Sequence, residues 1–251
     1  MNFYIRKKIY KLIYLVSKYL LKPDRPIKSI YGIYLTPSFQ DVTFKYCFKG
    51  TYGTFFSHLL EQQKKKSIFI DIGANQGLYS ILAGKNPCFE KIIAFEPSLK
   101  TAKLLHENLL SNKIENCQVV EAAISDKCGE FKLSVVRGHS GISSLRETKN
   151  TTNTYELIQT INHKQLNEIV PKHKNYIVKI DVEGYENIVI NEITKCTFFD
   201  NVNYLFCEID ENWVDVDQIK NKLTKFGFTS FEKIGNNKKH YDLMISKKNL
   251  I

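Results

Sequence analysis

Apolar residues recur along this chain at two different periods. Unbroken runs at Ile68-Phe69-Ile70, Ile92-Ile93-Ala94-Phe95 and Tyr204-Leu205-Phe206-Cys207 have the length and composition of strands buried on both faces. Tyr176-Ile177-Val178-Lys179-Ile180 is of the same kind, broken only by one lysine. Between the runs the spacing lengthens to the helical period, as in Leu104, Leu105 and Leu109, which line one side of a helix over Ser98 to Leu110. Further strands are predicted at Gln118 to Val120, Phe131 to Val136, Thr229 to Lys233 and Tyr241 to Ser246. Helices are predicted from Gly77, at His163 to Val170, Tyr185 to Ile193 and Val216 to Phe226. Strands alternating with helices give an α/β domain, a doubly wound and mostly parallel sheet covered on both faces. Gly235-Asn236-Asn237 is a turn signal, so the last two strands form an antiparallel pair.

The first 50 residues stand apart. Phe3, Ile5, Ile9, Leu12, Ile13, Val16, Tyr19 and Leu20 fall at helical spacing, with Arg6, Lys7, Lys11, Lys18 and Lys22 between them. That is a basic amphipathic helix, ended by Pro23 and Pro26. Two β-rich stretches follow, Ile30 to Leu35 and Val42 to Phe48, and are expected to pair as a hairpin. The organisation is thus an extension over 1–50 and one catalytic-sized domain over 51–251.

The chain has 251 residues and 43% hydrophobic content, enough for a sizeable core and too apolar for a disordered tail. Its formal net charge of +10 invites a nucleic-acid reading, but eight basic residues and one acid within residues 1–28 account for +7 of it. The remainder is close to balanced. Leu12 to Val16, the longest early apolar run, is far short of the roughly 20 residues a bilayer span needs. Lys11 and Lys18 interrupt the stretch where a signal peptide would be uniformly apolar. Six cysteines show no C-x-x-C pair and the six histidines no metal-ligand spacing. A reducing, cytoplasmic location is therefore expected, with peripheral contact at the inner face of a membrane, or contact with a carrier bearing the acceptor, through residues 1–26 as a second option. Packing of the helix on the domain or on a second subunit, making a homo-oligomer, is the plainer alternative.

Three strand ends carry chemistry. Ile70-Asp71-Ile72-Gly73-Ala74-Asn75-Gln76-Gly77 runs from a strand into a helix whose first turn holds Tyr79 and Ser80. Glycines there let the backbone turn sharply close to a ligand. A dinucleotide fingerprint would have a second glycine where Asn75 stands. Asp71 would repel a pyrophosphate and welcome a cationic amino-acid group instead. Ala94-Phe95-Glu96-Pro97-Ser98 puts an acid at the end of the next strand, placed to accept hydrogen bonds from both ribose hydroxyls of a nucleoside. Ala122-Ala123-Ile124-Ser125-Asp126 follows the third strand, where Asp126 and the backbone can read an adenine amino group.

Together with Lys179-Ile180-Asp181-Val182-Glu183-Gly184-Tyr185-Glu186, these motifs resemble the FkbM family of class I methyltransferases over about residues 50 to 245. The resemblance implies a Rossmann-like, seven-stranded sheet with an antiparallel last strand, and S-adenosylmethionine as cofactor. It implies a cofactor set of Asp71, Gly73, Asn75, Gly77, Tyr79, Ser80, Glu96, Pro97, Ser125, Asp126 and Asp181. It also implies O-methylation of a hydroxyl on a sugar, a glycan or another small natural product. Such a transfer needs an acceptor oxygen held in line with the methyl group and relieved of its proton. Asp181 is the first candidate for base or acceptor-orienting group, with Glu183 beside it; one of the two capping the next helix is the structural alternative. His139, in the polar stretch Gly138 to Thr154, is a further candidate base. Glu208 and Asp210 end another strand, and Asp181 with Glu208 forms a candidate weak site for a divalent metal. A nucleic-acid methyltransferase is disfavoured by these acids and by the lack of an Asn/Asp-Pro-Pro-Tyr/Phe loop, and no nucleic-acid partner is expected. An NAD-dependent oxidoreductase is disfavoured by Asn75 and the absence of a Tyr-x-x-x-Lys pair.

Overall fold

A computed structural model describes residues 3–145 and 154–247. The centre is a seven-stranded sheet of β3 (Ser67–Ile72), β4 (Phe89–Phe95), β5 (Cys117–Val120), β9 (Tyr176–Ile180), β10 (Val202–Asp210), β11 (Ser230–Ile234) and β12 (His240–Ser246). Their order is β11-β12-β10-β9-β3-β4-β5. Strands β5, β4, β3, β9 and β10 run parallel, and β12 lies between β10 and β11, antiparallel to both.

Helices α4 (Leu78–Lys85), α5 (Leu99–Ser111), α6 (His163–Ile169), α7 (Glu186–Ile193) and α8 (Val216–Thr224) provide the covering layers. Because successive strand residues point to opposite faces, the sheet divides its core in two. Ile68, Ile70, Ile72, Val178 and Ile180 pack with Leu166, Val189, Ile193 and Leu223. Phe69, Ile92, Ile177 and Phe206 pack with Tyr79, Ile81 and Leu105 on the other face. Asp71 and Lys179 occupy the face of Phe69 and Ile177, directly opposite each other in the β3–β9 register.

The amino-terminal extension belongs to that second core. α1 (Phe3–Val16) continues as one π-helical turn over Ser17–Leu21 and stops at Lys22, whose φ of 41° ends the helix. A small hairpin joins β1 (Ile27–Lys28) to β2 (Tyr34–Leu35) and turns through Gly32, φ 76°. The expected hairpin between Ile30–Leu35 and Val42–Phe48 does not form. Val42–Lys49 is instead helix α2. Asp41 caps it by accepting from the Thr43 N–H at 2.8 Å, and Gly50 closes it with φ 63°. Phe44 and Phe48, four apart, bury one helical stripe against Tyr14, which outweighs the strand preference of Val42, Thr43 and Phe44.

Helix α3 (Thr54–Gln62) and strand β8 (Thr154–Ile161) lie where the sequence pattern predicts no element. α3 stacks Phe56 on Phe206 with centroids 4.2 Å apart and planes within 8°. β8 pairs with β6 (Ala123–Ile124) and β7 (Gly129–Val135) in a separate three-stranded sheet. The rest of the predicted polar stretch, residues 146–153, lies outside the described residues. Among the described residues no helix is long and apolar enough to cross a membrane.

Candidate active site

All five parallel strands end at one edge of the sheet, the edge where doubly wound folds bind ligands. A cavity of about 390 Å³ opens there. Its floor is the β3–α4 turn. Gly73 takes φ 77°, and a Cβ on it would lie 1.9 Å from the Asp181 carbonyl oxygen, so only glycine lets the ends of β3 and β9 come this close. Asn75 also adopts a left-handed conformation, φ 49°. Its N–H donates to Glu96 Oε2 at 2.9 Å, and its side-chain oxygen accepts from the Gln76 N–H and the Ser140 hydroxyl.

Glu96, 7% exposed, holds its place at the end of β4 by accepting two backbone N–H bonds, from Asn75 and from Ser98 at 3.0 Å. Burial pushes its carboxyl up to about 7, against the pull of those N–H groups and of Lys179. Phe95, Pro97, Ala122, Ala123, Ile124 and Leu133 line the adjoining wall. One acid beside an apolar slot is the arrangement a nucleoside asks for, a carboxylate to accept from the ribose hydroxyls and an apolar wall for the base.

Opposite stands a row of acids brought together by strand register. Asp181 follows β9, Glu208 lies on β10, and Asp242 faces Glu208 from β12. Lys179 Nζ sits 3.4 Å from Asp71 Oδ1 and 3.5 Å from Asp181 Oδ2, and also donates to the Gly73 carbonyl. Burial alone would lower this ammonium's pKa, but Asp181, Asp71 and Glu208 together hold it above its ordinary value. Asp181 is the mirror image. Burial would raise its carboxyl, yet Lys179 and hydrogen bonds with Glu208 and the Tyr52 hydroxyl, 2.7 Å away, hold it low. At Glu208 the balance falls the other way, and burial, then the Asp181 charge, push it well above the carboxylate range. His240 Nε2 stands 2.5 Å from Glu208 Oε1 at the half-exposed rim. Asp242 is driven up to about 7, first by burial and then by Asp181.

The predicted residues separate into those at the cavity and those behind it. Gly73, Asn75, Tyr79, Glu96, Pro97, Asp181, Glu183, Glu208 and His139 line it. Asp71 does not. Fully buried, it accepts from the Ser80 hydroxyl at 2.6 Å and pairs with Lys179, so both Asp71 and Ser80 lie beneath the cavity floor. Gly77 also lies outside the lining, as the residue entering α4 with φ 88°. Ser125 is buried with its hydroxyl 3.2 Å from that of Tyr185, and Asp126 is exposed beside it; neither lines the cavity. Capping of α7's approach falls to a residue not considered for it, Glu186, whose Oε1 accepts from the Val182 and Gly184 N–H groups. Glu183 instead makes the turn itself, with φ 54°.

His139 is held by a stitched loop. The Gly138 carbonyl accepts from Val42 N–H, and the Gly141 N–H donates to Thr43 Oγ1. The His139 Nδ1, Gln76 Oε1 and Tyr79 hydroxyl are buried without a hydrogen-bond partner. Orphaned polar atoms of this kind around a cavity are groups waiting for a ligand or water. The residues present thus fit S-adenosylmethionine. A metal fits less well. Oxygens of Asp181, Glu183 and Glu208 lie within 4.8 Å of one another, but three acids, one drawn to its neutral form and one already beside an ammonium, make a meagre set for a hard cation.

Tyr52 and His240 carry no motif that marks them, and Lys179, though it opens the stretch Lys179 to Glu186, is given no role there. They reach the site only because α2–α3, β9 and β12 converge on one edge.

The strand order with its antiparallel insertion, and a nucleoside-shaped slot facing an acidic row, define a Rossmann-like class I methyltransferase fold. The methyltransferase FkbM domain matches residues 71–230, and the chain belongs to that family. The chain is 27% identical over 152 residues to hexuronic acid methyltransferase AglP of Haloferax volcanii, covering 60% of this chain and 59% of AglP. It thus spans about three fifths of that relative's length. Among solved structures, Trm5b from Pyrococcus abyssi superposes with a TM-score of 0.50 at 16% identity, over 88% of this chain and 54% of Trm5b. The METTL16 methyltransferase domain gives 0.50 at 11% identity, over 99% and 83%. At such identities these two share the fold alone.

Proposed function

We propose that this chain is an S-adenosylmethionine-dependent O-methyltransferase acting on a sugar hydroxyl, with the cytoplasm as its working compartment. The observation that carries the reading is the pairing of Glu96 beside an apolar slot with the acid row Asp181–Glu208 across one cavity. S-adenosylmethionine, when bound, supplies an electrophilic methyl group on a cationic sulfur. This chain's residues then have three tasks. Glu96 holds the ribose hydroxyls. Asp181, kept ionised by Lys179 and Tyr52, is a weak base but a strong hydrogen-bond acceptor, so it orients the acceptor hydroxyl. His240, hydrogen-bonded to Glu208 at the rim, is placed to take the proton away, with His139 as a second lining imidazole.

Several features support a sugar acceptor. Tyr46, Tyr52, His139, His240 and the acids line the cavity with hydrogen-bonding groups, which suit a polyhydroxylated molecule, and the acids repel a phosphate backbone. The relative AglP is named for a hexuronic acid. Six free cysteines fit a reducing compartment.

Calorimetric titration with S-adenosylmethionine and with NADH tests the cofactor, and binding of NADH alone would sink the reading. Incubation with labelled methyl donor and separate glycan, lipid and RNA fractions tests the acceptor, for which predominant label in RNA is the refuting result. Asp181→Asn is expected to leave cofactor affinity within about threefold while slowing transfer by about 100-fold or more. Equal loss of both would reassign Asp181 to cofactor binding.

A further inference from the structure

The amino-terminal helix has two separate faces, and only one is used by the fold. Arg6, Tyr10, Tyr14 and Ser17 make the inner one. Tyr14 packs its ring against Phe39, Phe44 and Phe48, Tyr10 meets Phe48, and an Arg6 guanidinium nitrogen donates to the Ile30 carbonyl at 2.6 Å. The predicted apolar stripe is not this face. Ile5, Ile9, Leu12 and Ile13 are 50%, 39%, 62% and 40% exposed, and Leu20 beyond them is 76% exposed. On a helical projection this stripe borders the docked face on one side and exposed Lys8 and Lys11 on the other. Because the inner face is fixed by buried aromatics, the helix cannot roll its leucine and isoleucines inward without giving up Tyr14.

We propose that this outer face docks on an anionic lipid surface. The apolar stripe enters the acyl boundary, while Lys8, Lys11, Lys18 and Lys22 lie at headgroup level. Charge argues for lipid over a second copy of the chain. No acid occurs between Phe3 and Pro23, so apposing two such faces would press like charges together. Docking would also bring the cavity near the membrane. Helix α2 is a single-layer partition, with Thr43, Tyr46 and Cys47 on the cavity and Phe44 and Phe48 under α1.

The test is co-sedimentation of the full chain with phosphatidylcholine vesicles, with and without phosphatidylglycerol, at low and high salt. Binding is expected only with phosphatidylglycerol and is weakened by salt. Leu12→Asp with Ile13→Asp is expected to lower the partition coefficient about tenfold or more. Lys8→Glu with Lys11→Glu is expected to do so without touching the apolar stripe, and melting curves check that each variant stays folded. The proposal is overturned by no binding to anionic vesicles, by equal binding to neutral ones, or by a concentration-dependent dimer that the same substitutions dissolve.

Discussion

Replacing Lys179 by methionine keeps most of the stem and removes the charge. In the native chain the ammonium is 3% exposed, with Asp71 at 3.4 Å and Asp181 at 3.5 Å, and Asp71 itself is fully buried. Without it two carboxylates face each other with no cation, and Asp71 keeps only the Ser80 hydroxyl. Leaving a buried charge uncompensated costs about 3–5 kcal/mol, which at this chain length corresponds to about 10 °C in Tm. The cost has a sign in pH. In the native chain Asp181 is held below its ordinary value, so its contribution is present above that value and lost as pH falls through the lowered one. In the variant the Asp181 carboxyl loses the ammonium that holds it low, and the penalty is relieved as it protonates. Urea unfolding at about pH 8 and about pH 5 should therefore show the larger loss at the higher pH. Adding Asp71→Asn to the methionine variant should recover part of it, because the two sites share one interaction. A loss below about 1 kcal/mol at the higher pH, or one independent of pH, would refute the claim that Lys179 neutralises this row.

Further outcomes follow from single contacts. Glu186 is 1% exposed, with Oε2 unpartnered, and burial drives its carboxyl from 4.5 to about 7. The unfolded chain then ionises first, stability falls as pH climbs between those values, and Glu186→Gln removes the slope. The variant should gain up to about 3 kcal/mol at about pH 8 and be level at about pH 5; parity at both would contradict the assignment. Gly73→Ala should cost about 3 kcal/mol or more, since its Cβ would meet backbone 1.9 Å away, whereas Gly227→Ala, with open space around it, should cost about 1 kcal/mol by thermal melts.

The sequence pattern located the sheet where strands were uniformly apolar and helices where the stripe was long. Tyr176–Ile180 is found at its observed bounds, because a strand buried on both faces has no competing period. Val42–Lys49 was lost because its branched and aromatic residues suit either element, and only the Asp41 cap and the packing on Tyr14 decide. The glycine turn, Glu96 and Asp181 were legible because each follows an apolar run and so marks a strand end. Asp71 was placed at the right strand end, but its ion pair was not legible, since its partner Lys179 is 108 positions away and becomes a neighbour only through register. A lysine inside a strand reads as a solvated position; here it is among the most buried charges.

Asp71, Lys179, Asp181 and Glu208 form one continuous row from beneath the cavity floor to its rim. Counted with Glu208 in the neutral form that burial favours, the row holds two anions against one cation. A pocket with such a deficit recognises valence as well as shape. A positively charged donor balances the ledger of charge, whereas the neutral thioether left after transfer returns the pocket to deficit. Under the proposed function the spent thioether is therefore expected to bind more weakly than the donor, a difference that titration with each would read.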